Sequence, residues 1–263
     1  MKIHAGLPAL VTGASSGIGR EVALALGRRG CRVGLVARSA GALEELAGEI
    51  GAAGGEGLAL PADVGEEGEV ARAVARAAEA FGGLRLVVVC AGVGRYAEVS
   101  EQPAEHVETT IGVNYVGMTR TVRHALPHLL AGAPSHVVAV TSSAALIPHA
   151  TATAYSASKA AGNAYLSALR LEVLGRGVGV TWVCPGLVET PFVESSGLVR
   201  ERNLPRLSRW LVRPLRAEEV ARATVRAVER NRREVVMPPI LAFFTAFRRV
   251  APGFADWVHR VTG

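Results

Sequence analysis

Lysine is nearly missing from this chain. Among 263 residues only Lys2 and Lys159 are lysines, so almost all of the 29 basic side chains are arginine. Cysteine is as scarce. Cys31, Cys90 and Cys184 form no CxxC and sit in apolar, strand-like text, which argues against a disulfide framework or a thiolate zinc site and points to buried free thiols. His106, His124, His128 and His136 make no ligand-like cluster; they read as structural or surface residues, and no metal site is expected. No apolar run reaches the roughly 18–20 residues that span a bilayer. The start, MKIHAGLPALVTG, has too short an apolar stretch for a secretory leader, so the expected location is cytoplasmic. Internal repeats and low-complexity linkers are missing as well.

What is present describes a well-packed α/β chain. With 30 glycines and 49% hydrophobic residues, the length suits one large domain. The net charge of +6 is uneven: residues 1–199 hold 15 Lys and Arg against 17 Asp and Glu, whereas residues 200–263 hold 14 against 6, giving −2 and +8. No basic recognition helix or interleaved aromatics accompany that charge, so nucleic acid is not an expected partner.

Strand-like and helix-like stretches alternate. LPALVT (7–12) reads as a buried strand, GASSGIG as a glycine loop, and REVALALGRRG as a helix with Val22, Ala23 and Leu26 at helical spacing. In such a loop Gly13, Gly17 and Gly19 permit a tight turn, close approach to a pyrophosphate and tight helix–strand packing, and the helix N-terminus offers free N–H groups. The flanking elements make dinucleotide binding the expected role of the loop, Ser15, Ser16 and Ile18 included. CRVGLVA is a second strand ending at Arg38-Ser39. There an acid would bind the 2′-hydroxyl of NAD and an arginine the 2′-phosphate of NADP, so the sequence favours NADP(H) over NAD(H). GLALPADV and LRLVVVCAGV give two more strands, ending at Asp63-Val64 and at Cys90, Ala91 and Gly92. Continuous apolar strands joined by helices imply a parallel sheet covered on both faces, with ligands at the carboxyl ends of its strands. Residues 103–131 read as one long helix with Asn114 in its middle, and GVTWVCPG as a strand stopped by Pro185-Gly186, with Trp182 buried.

Between these lies TSSAALIPHATATAYSASK (141–159). Tyr155 and Lys159 are one helical turn apart on one face, close enough for the ammonium to favour phenolate and lower the phenol's pKa. Ser142 ends an apolar strand beside them, so phenol and hydroxyl together can grip one carbonyl oxygen.

TGASSGIG, Asp63-Val64, Ala91-Gly92, Asn114, Ser142, Tyr155 with Lys159, and Pro185-Gly186 followed by Thr190 occur in this order. Over roughly residues 7–237 the chain thereby resembles the short-chain dehydrogenase/reductase family. The resemblance implies a doubly wound, Rossmann-like parallel sheet of about seven strands. The implied domain covers residues 1–238, followed by a C-terminal helical extension at 239–263. It implies Tyr155 as catalytic acid/base; Lys159 as the group that lowers the phenol's pKa and bonds the nicotinamide ribose; Ser142, thirteen residues before the tyrosine, as the polarising hydroxyl; and Asn114 as holder of a water in a proton relay. Asp63 and Val64 would meet the adenine, the backbone at Cys90 to Gly92 the riboses, and Val188 and Thr190 the carboxamide and phosphate. Cys90 departs from the family's usual Asn-Ala-Gly, which is expected to cost stability more than binding.

The expected activity is NADP(H)-dependent hydride transfer to or from a hydrophobic alcohol, aldehyde or ketone. The alternatives are an inactive cofactor-binding module, and isomerase or lyase chemistry on the same fold. Ala144, Ala145, Leu146, Ile147 and Pro148, with Phe192, Leu198, Leu204 and Trp210 from a lid over about 187–214, would form an apolar pocket, which His149 could also line. The family commonly forms dimers or tetramers. The tail from residue 239, with Phe243, Phe244 and Phe247 beside Arg248-Arg249, is expected to pack on the protein or a subunit or to lie on a membrane.

Overall fold

A computed structural model of the chain describes residues 1–197, 213–250 and Gly253, the side chains of Arg248 and Arg249 excepted. Strands β1 (Pro8–Thr12), β2 (Arg32–Ala37), β3 (Glu56–Pro61), β4 (Leu86–Val89), β5 (Ser135–Val140), β6 (Val178–Pro185) and β9 (Glu234–Met237) form one parallel sheet in the order β3-β2-β1-β4-β5-β6-β9. This is the seven-stranded, doubly wound arrangement read from the sequence. Helices α1 (Gly17–Gly27), α2 (Ala40–Ala52) and α8 (Ala217–Glu229) cover one face, and α3 (Glu67–Phe81), α5 (Gly117–Ala131) and α6 (Thr153–Glu172) the other.

Local chemistry explains these elements. In α3, EGEVARAVARAAEAF turns Val70, Ala73, Val74, Ala77, Ala78 and Phe81 to the core. Glu67 and Glu69 favour its positive end, and Gly82 at φ 71° stops it. The inner strands are apolar at successive positions because both faces are covered: every residue of β4 and β5 is buried. Trp182 is 3% exposed and its ring nitrogen donates to Glu234 at 2.7 Å, joining β6 to β9.

The chain leaves β1 towards β2 and β3 on one side and resumes at β4 on the other. A crevice therefore opens where Thr12 of β1 lies beside Val89 of β4. The loops after β1, β2, β3, β4, β5 and β6 all meet at this edge.

Two features differ from the sequence reading. The long helix of 103–131 is α4 (Ala104–Ile111) and α5 joined through a π-helical turn, Gly112–Val116, which contains Asn114. The lid of 187–214 begins as regular structure: β7 (Val188–Glu189) pairs in parallel with β8 (Leu215–Arg216), and α7 (Pro191–Ser196) follows β7. Leu198, Leu204 and Trp210 lie outside the described residues. The extension beyond residue 238 starts with α9 (Pro239–Val250), whose first turn closes through Leu241 N–H to the Pro238 carbonyl at 3.0 Å.

Candidate active site

A cleft of about 1010 Å³ runs along the strand ends, from the loop after β1 to α7 and α9. Its floor at one end is the glycine loop. Gly13 sits at φ 68°, and a Cβ there would stand 2.7 Å from the Ala91 nitrogen; one on Gly19 would stand 2.1 Å from the Gly13 carbonyl. These contacts leave no room for a side chain between β1, α1 and the end of β4. Ser16 precedes α1 in extended conformation without capping it through its side chain, and Ser15, Ser16, Gly17 and Ile18 line the cleft, so the helix start faces open space.

Beside this floor, Arg38 and Ser39 end β2. Arg38 is 77% exposed and its guanidinium lies 4.0 Å from an Asp63 oxygen. Asp63 is fixed by its own turn, accepting from Gly65 N–H at 2.8 Å, while its N–H donates to Glu69 at 2.8 Å. Val64 is buried against Gly117 at the start of α5. The N–H groups of Cys90 and Ala91 donate to the Thr12 hydroxyl at 3.3 and 3.4 Å. Thr12 thus ties β1 to the end of β4 where Cys90 supplies no amide. Cys90 itself is half-buried on the cleft rather than fully buried like Cys31 and Cys184, and desolvation pushes its thiol up to about 12.

At the other end, β5 and α6 bring Ser142, Tyr155 and Lys159 together. Tyr155 is 8% exposed and stands near Ser142, whose hydroxyl accepts from Ala144 N–H at 3.1 Å. Burial pushes the phenol up to about 12, against the lowering effect of Ser142. The lowering expected from Lys159 is not what the structure shows. The ammonium lies over the ring, 5.8 Å from its centroid, and donates to the Val140 carbonyl at 3.4 Å. Burial also brings Lys159 down to about 8, so desolvation of both groups outweighs their attraction. Asn114 is held through its side chain. Its amide accepts from Val93 N–H at 2.7 Å and donates to the Val93 carbonyl at 2.8 Å and to Ser158 at 3.0 Å. The side chain thereby fixes the loop after β4.

The π turn is what aims Asn114 at that loop. Gly92 then leaves the gap: a Cβ on it would be 3.1 Å from the Lys159 nitrogen and 3.2 Å from the Asn114 oxygen. After β6, Pro185 and Gly186 line the cleft, Gly186 N–H donates to Met237 at 2.7 Å, Val188 is buried, and the Thr190 methyl approaches Gly17. All the residues anticipated for the site, from Gly13 to Thr190, gather around this one edge.

A family model described as short chain dehydrogenase matches residues 8–199. The chain belongs to the short-chain dehydrogenase/reductase family. A glycine betaine reductase, ATRR, from Emericella nidulans is 39% identical over 191 residues; the match covers 73% of this chain but the chain spans only 15% of that protein's length. A short-chain dehydrogenase/reductase from Burkholderia phymatum, solved in complex with NAD, superposes with a TM-score of 0.85 at 28% identity, covering 97% of this chain and 96% of the other. A short-chain dehydrogenase from Burkholderia cenocepacia, solved with NADP, gives 0.80 at 28% identity, covering 89% and 97%.

In this short-chain dehydrogenase/reductase the end of the cleft that holds Tyr155 is aromatic. Phe192 of α7 lies 5.5 Å and Tyr96 lies 6.1 Å from the Tyr155 ring, centroid to centroid, and His149 stacks on Tyr96 at 6.0 Å. Gly94 makes this possible, since a Cβ there would meet Phe192 at 2.8 Å and Tyr155 at 3.1 Å. Gly94 and Tyr96 were not anticipated from sequence: they sit in a loop without periodicity, and only the position after a glycine-ended strand marks it. Of the apolar run after Ser142, Ile147 and Pro148 line the cleft, whereas Ala144 is buried and Leu146 packs towards the core. Among the described residues no group of three or more metal-ligating side chains occurs.

Proposed function

We propose that the protein is an NADP(H)-dependent oxidoreductase that interconverts a hydrophobic alcohol and its aldehyde or ketone. The observation that carries this reading is the gathering of Ser142, Tyr155 and Lys159 in one aromatic-walled cleft continuous with the glycine floor, with the Lys159 ammonium over the Tyr155 ring. The chain's own donors fit a dinucleotide. The uncapped start of α1 suits a pyrophosphate, Asp63 and Val64 an adenine, the Gly92 gap beside Lys159 a ribose, and Val188 and Thr190 the nicotinamide end. Arg38 with Ser39, and no carboxylate at the end of β2, suits a 2′-phosphate. The cofactor, when bound, supplies the hydride.

The remaining work falls to the protein. Ser142 holds the substrate oxygen, and Tyr155 gives that oxygen a proton in reduction or takes one in oxidation. A phenol kept protonated by burial is the right starting form for reduction. Lys159 then acts through charge on the ribose side, and Asn114 positions the loop that forms the back of the site. Tyr96, Phe192, Ile147 and Pro148 favour an apolar substrate and keep water off the reacting oxygen. Val116 of the π turn with Leu126 and Leu130 of α5, all partly exposed along one groove, supports pairing of two copies.

The test is fluorescence titration with NADPH and NADH, repeated on Arg38→Asp. NADPH bound at least about tenfold tighter, with that preference lost in the variant, is the expected result. Equal binding would remove Arg38 from the site and turn the reading to NAD(H).

A further inference from the structure

Helix α9 has two unlike faces. Leu241 turns inward and lines the cleft, 3.0 Å from where a Cβ on Gly186 would stand. Outward, Ile240, Phe243 and Val250 are 39%, 64% and 86% exposed, and Phe247 stacks on Phe243 with centroids 6.4 Å apart. The spacing 240, 243, 247, 250 puts these residues on one stripe of a helix. No acidic residue occurs between Glu234 and Asp256, while Arg248 and Arg249 follow the phenylalanines directly.

We propose that α9 docks on an anionic lipid surface, with Ile240, Phe243 and Val250 entering the acyl boundary. Among the described residues no helix is long and apolar enough to cross a bilayer, which takes about 20 residues, so α9 lies in the interface. Charge selects lipid over a second copy. The sequence of α9 holds Arg248 and Arg249 and no acidic residue, so two such helices face to face repel each other, whereas an anionic surface attracts each one. The docking surface stands whichever nicotinamide cofactor the cleft takes. If the substrate is apolar as proposed above, Leu241 on the inner face puts the cleft within reach of molecules dissolved in the lipid.

The experiment is flotation of the full-length protein with vesicles of phosphatidylcholine containing a minority of phosphatidylglycerol, against phosphatidylcholine alone. Binding is expected only with the anionic vesicles, to fall at about 1 M salt where the Debye length shrinks to about 3 Å, and to weaken roughly tenfold in Phe243→Ser/Val250→Ser. Circular dichroism and NADPH titration report whether that variant folds. If it does not, Arg248→Glu/Arg249→Glu, which leaves the apolar stripe intact, applies the same test through charge. Failure to float with either vesicle, equal flotation with both, or unchanged flotation of the variants overturns the proposal. So does light scattering that shows a larger assembly in the wild type and a smaller one in Phe243→Ser/Val250→Ser, which would assign the stripe to a second copy.

Discussion

The two ends of the cleft are built from opposite materials. At the glycine end, between β1, α1 and the end of β4, side chains are subtracted: Gly13 and Gly19 stand where a Cβ would collide with backbone. At the reacting end side chains are added: Tyr96, Phe192 and His149 stand around Tyr155. On the proposed function, the first end presents backbone N–H groups to the cofactor and the second presents rings to the substrate. Binding of cofactor and choice of substrate should therefore be separable by mutation.

The sharpest test of that separation is Tyr155→Phe. Turnover should fall about 10²–10⁴-fold, the range for a lost general acid, while NADPH affinity stays within about twofold. A comparable loss of cofactor affinity would merge the two ends. From the glycine side, Gly19→Ala puts a Cβ 2.1 Å from the Gly13 carbonyl, so the loop must shift. A destabilisation of about 2–4 kcal/mol is expected, read as a drop in Tm, together with loss of NADPH binding. At the aromatic side, Phe192→Ala should raise KM roughly tenfold for an apolar ketone and leave NADPH affinity unchanged. A fall in kcat alone would instead make Phe192 a support for the Tyr155 ring.

The smallest effect concerns protons. Burial lowers Lys159 from 10.5 to about 8. Below pH 8 the ammonium is already present to meet a ribose; above it, binding must first take up a proton. NADPH affinity should thus be flat up to about pH 8 and weaken, by up to tenfold per unit, as pH rises further. In Lys159→Met affinity should be lower and this slope should vanish; a slope that persists would belong to another group.

The same contrast decides how much was legible. The alternation of strands and helices, the glycine loop and the Ser142–Tyr155–Lys159 grouping follow from apolar runs, glycine spacing and the helical interval, which are local and periodic. The π turn did not show, because Gly112–Val116 sits inside an uninterrupted helical pattern and its wider winding is set by Asn114 reaching Val93 and Ser158. Nor could the phenol's upward shift be read from four-residue spacing. That spacing fixes proximity to Lys159, but the burial that prevails depends on tertiary packing, with Tyr96 from the loop after β4 and Phe192 from α7 beside the ring. Cys90 could be seen as a departure; that the Thr12 hydroxyl takes over the tie between β1 and β4 needed the three-dimensional register.

The short pairing of β7 with β8 has a consequence for the cleft. Val188 and Glu189 are hydrogen-bonded in register with Leu215 and Arg216, so the stretch between them is cinched at its base. Thr190 follows Glu189 directly and α7 with Phe192 follows Thr190, so this two-residue pairing is the anchor from which both side chains reach the cleft, and a change at Leu215 or Arg216, far along the chain, acts on them through it.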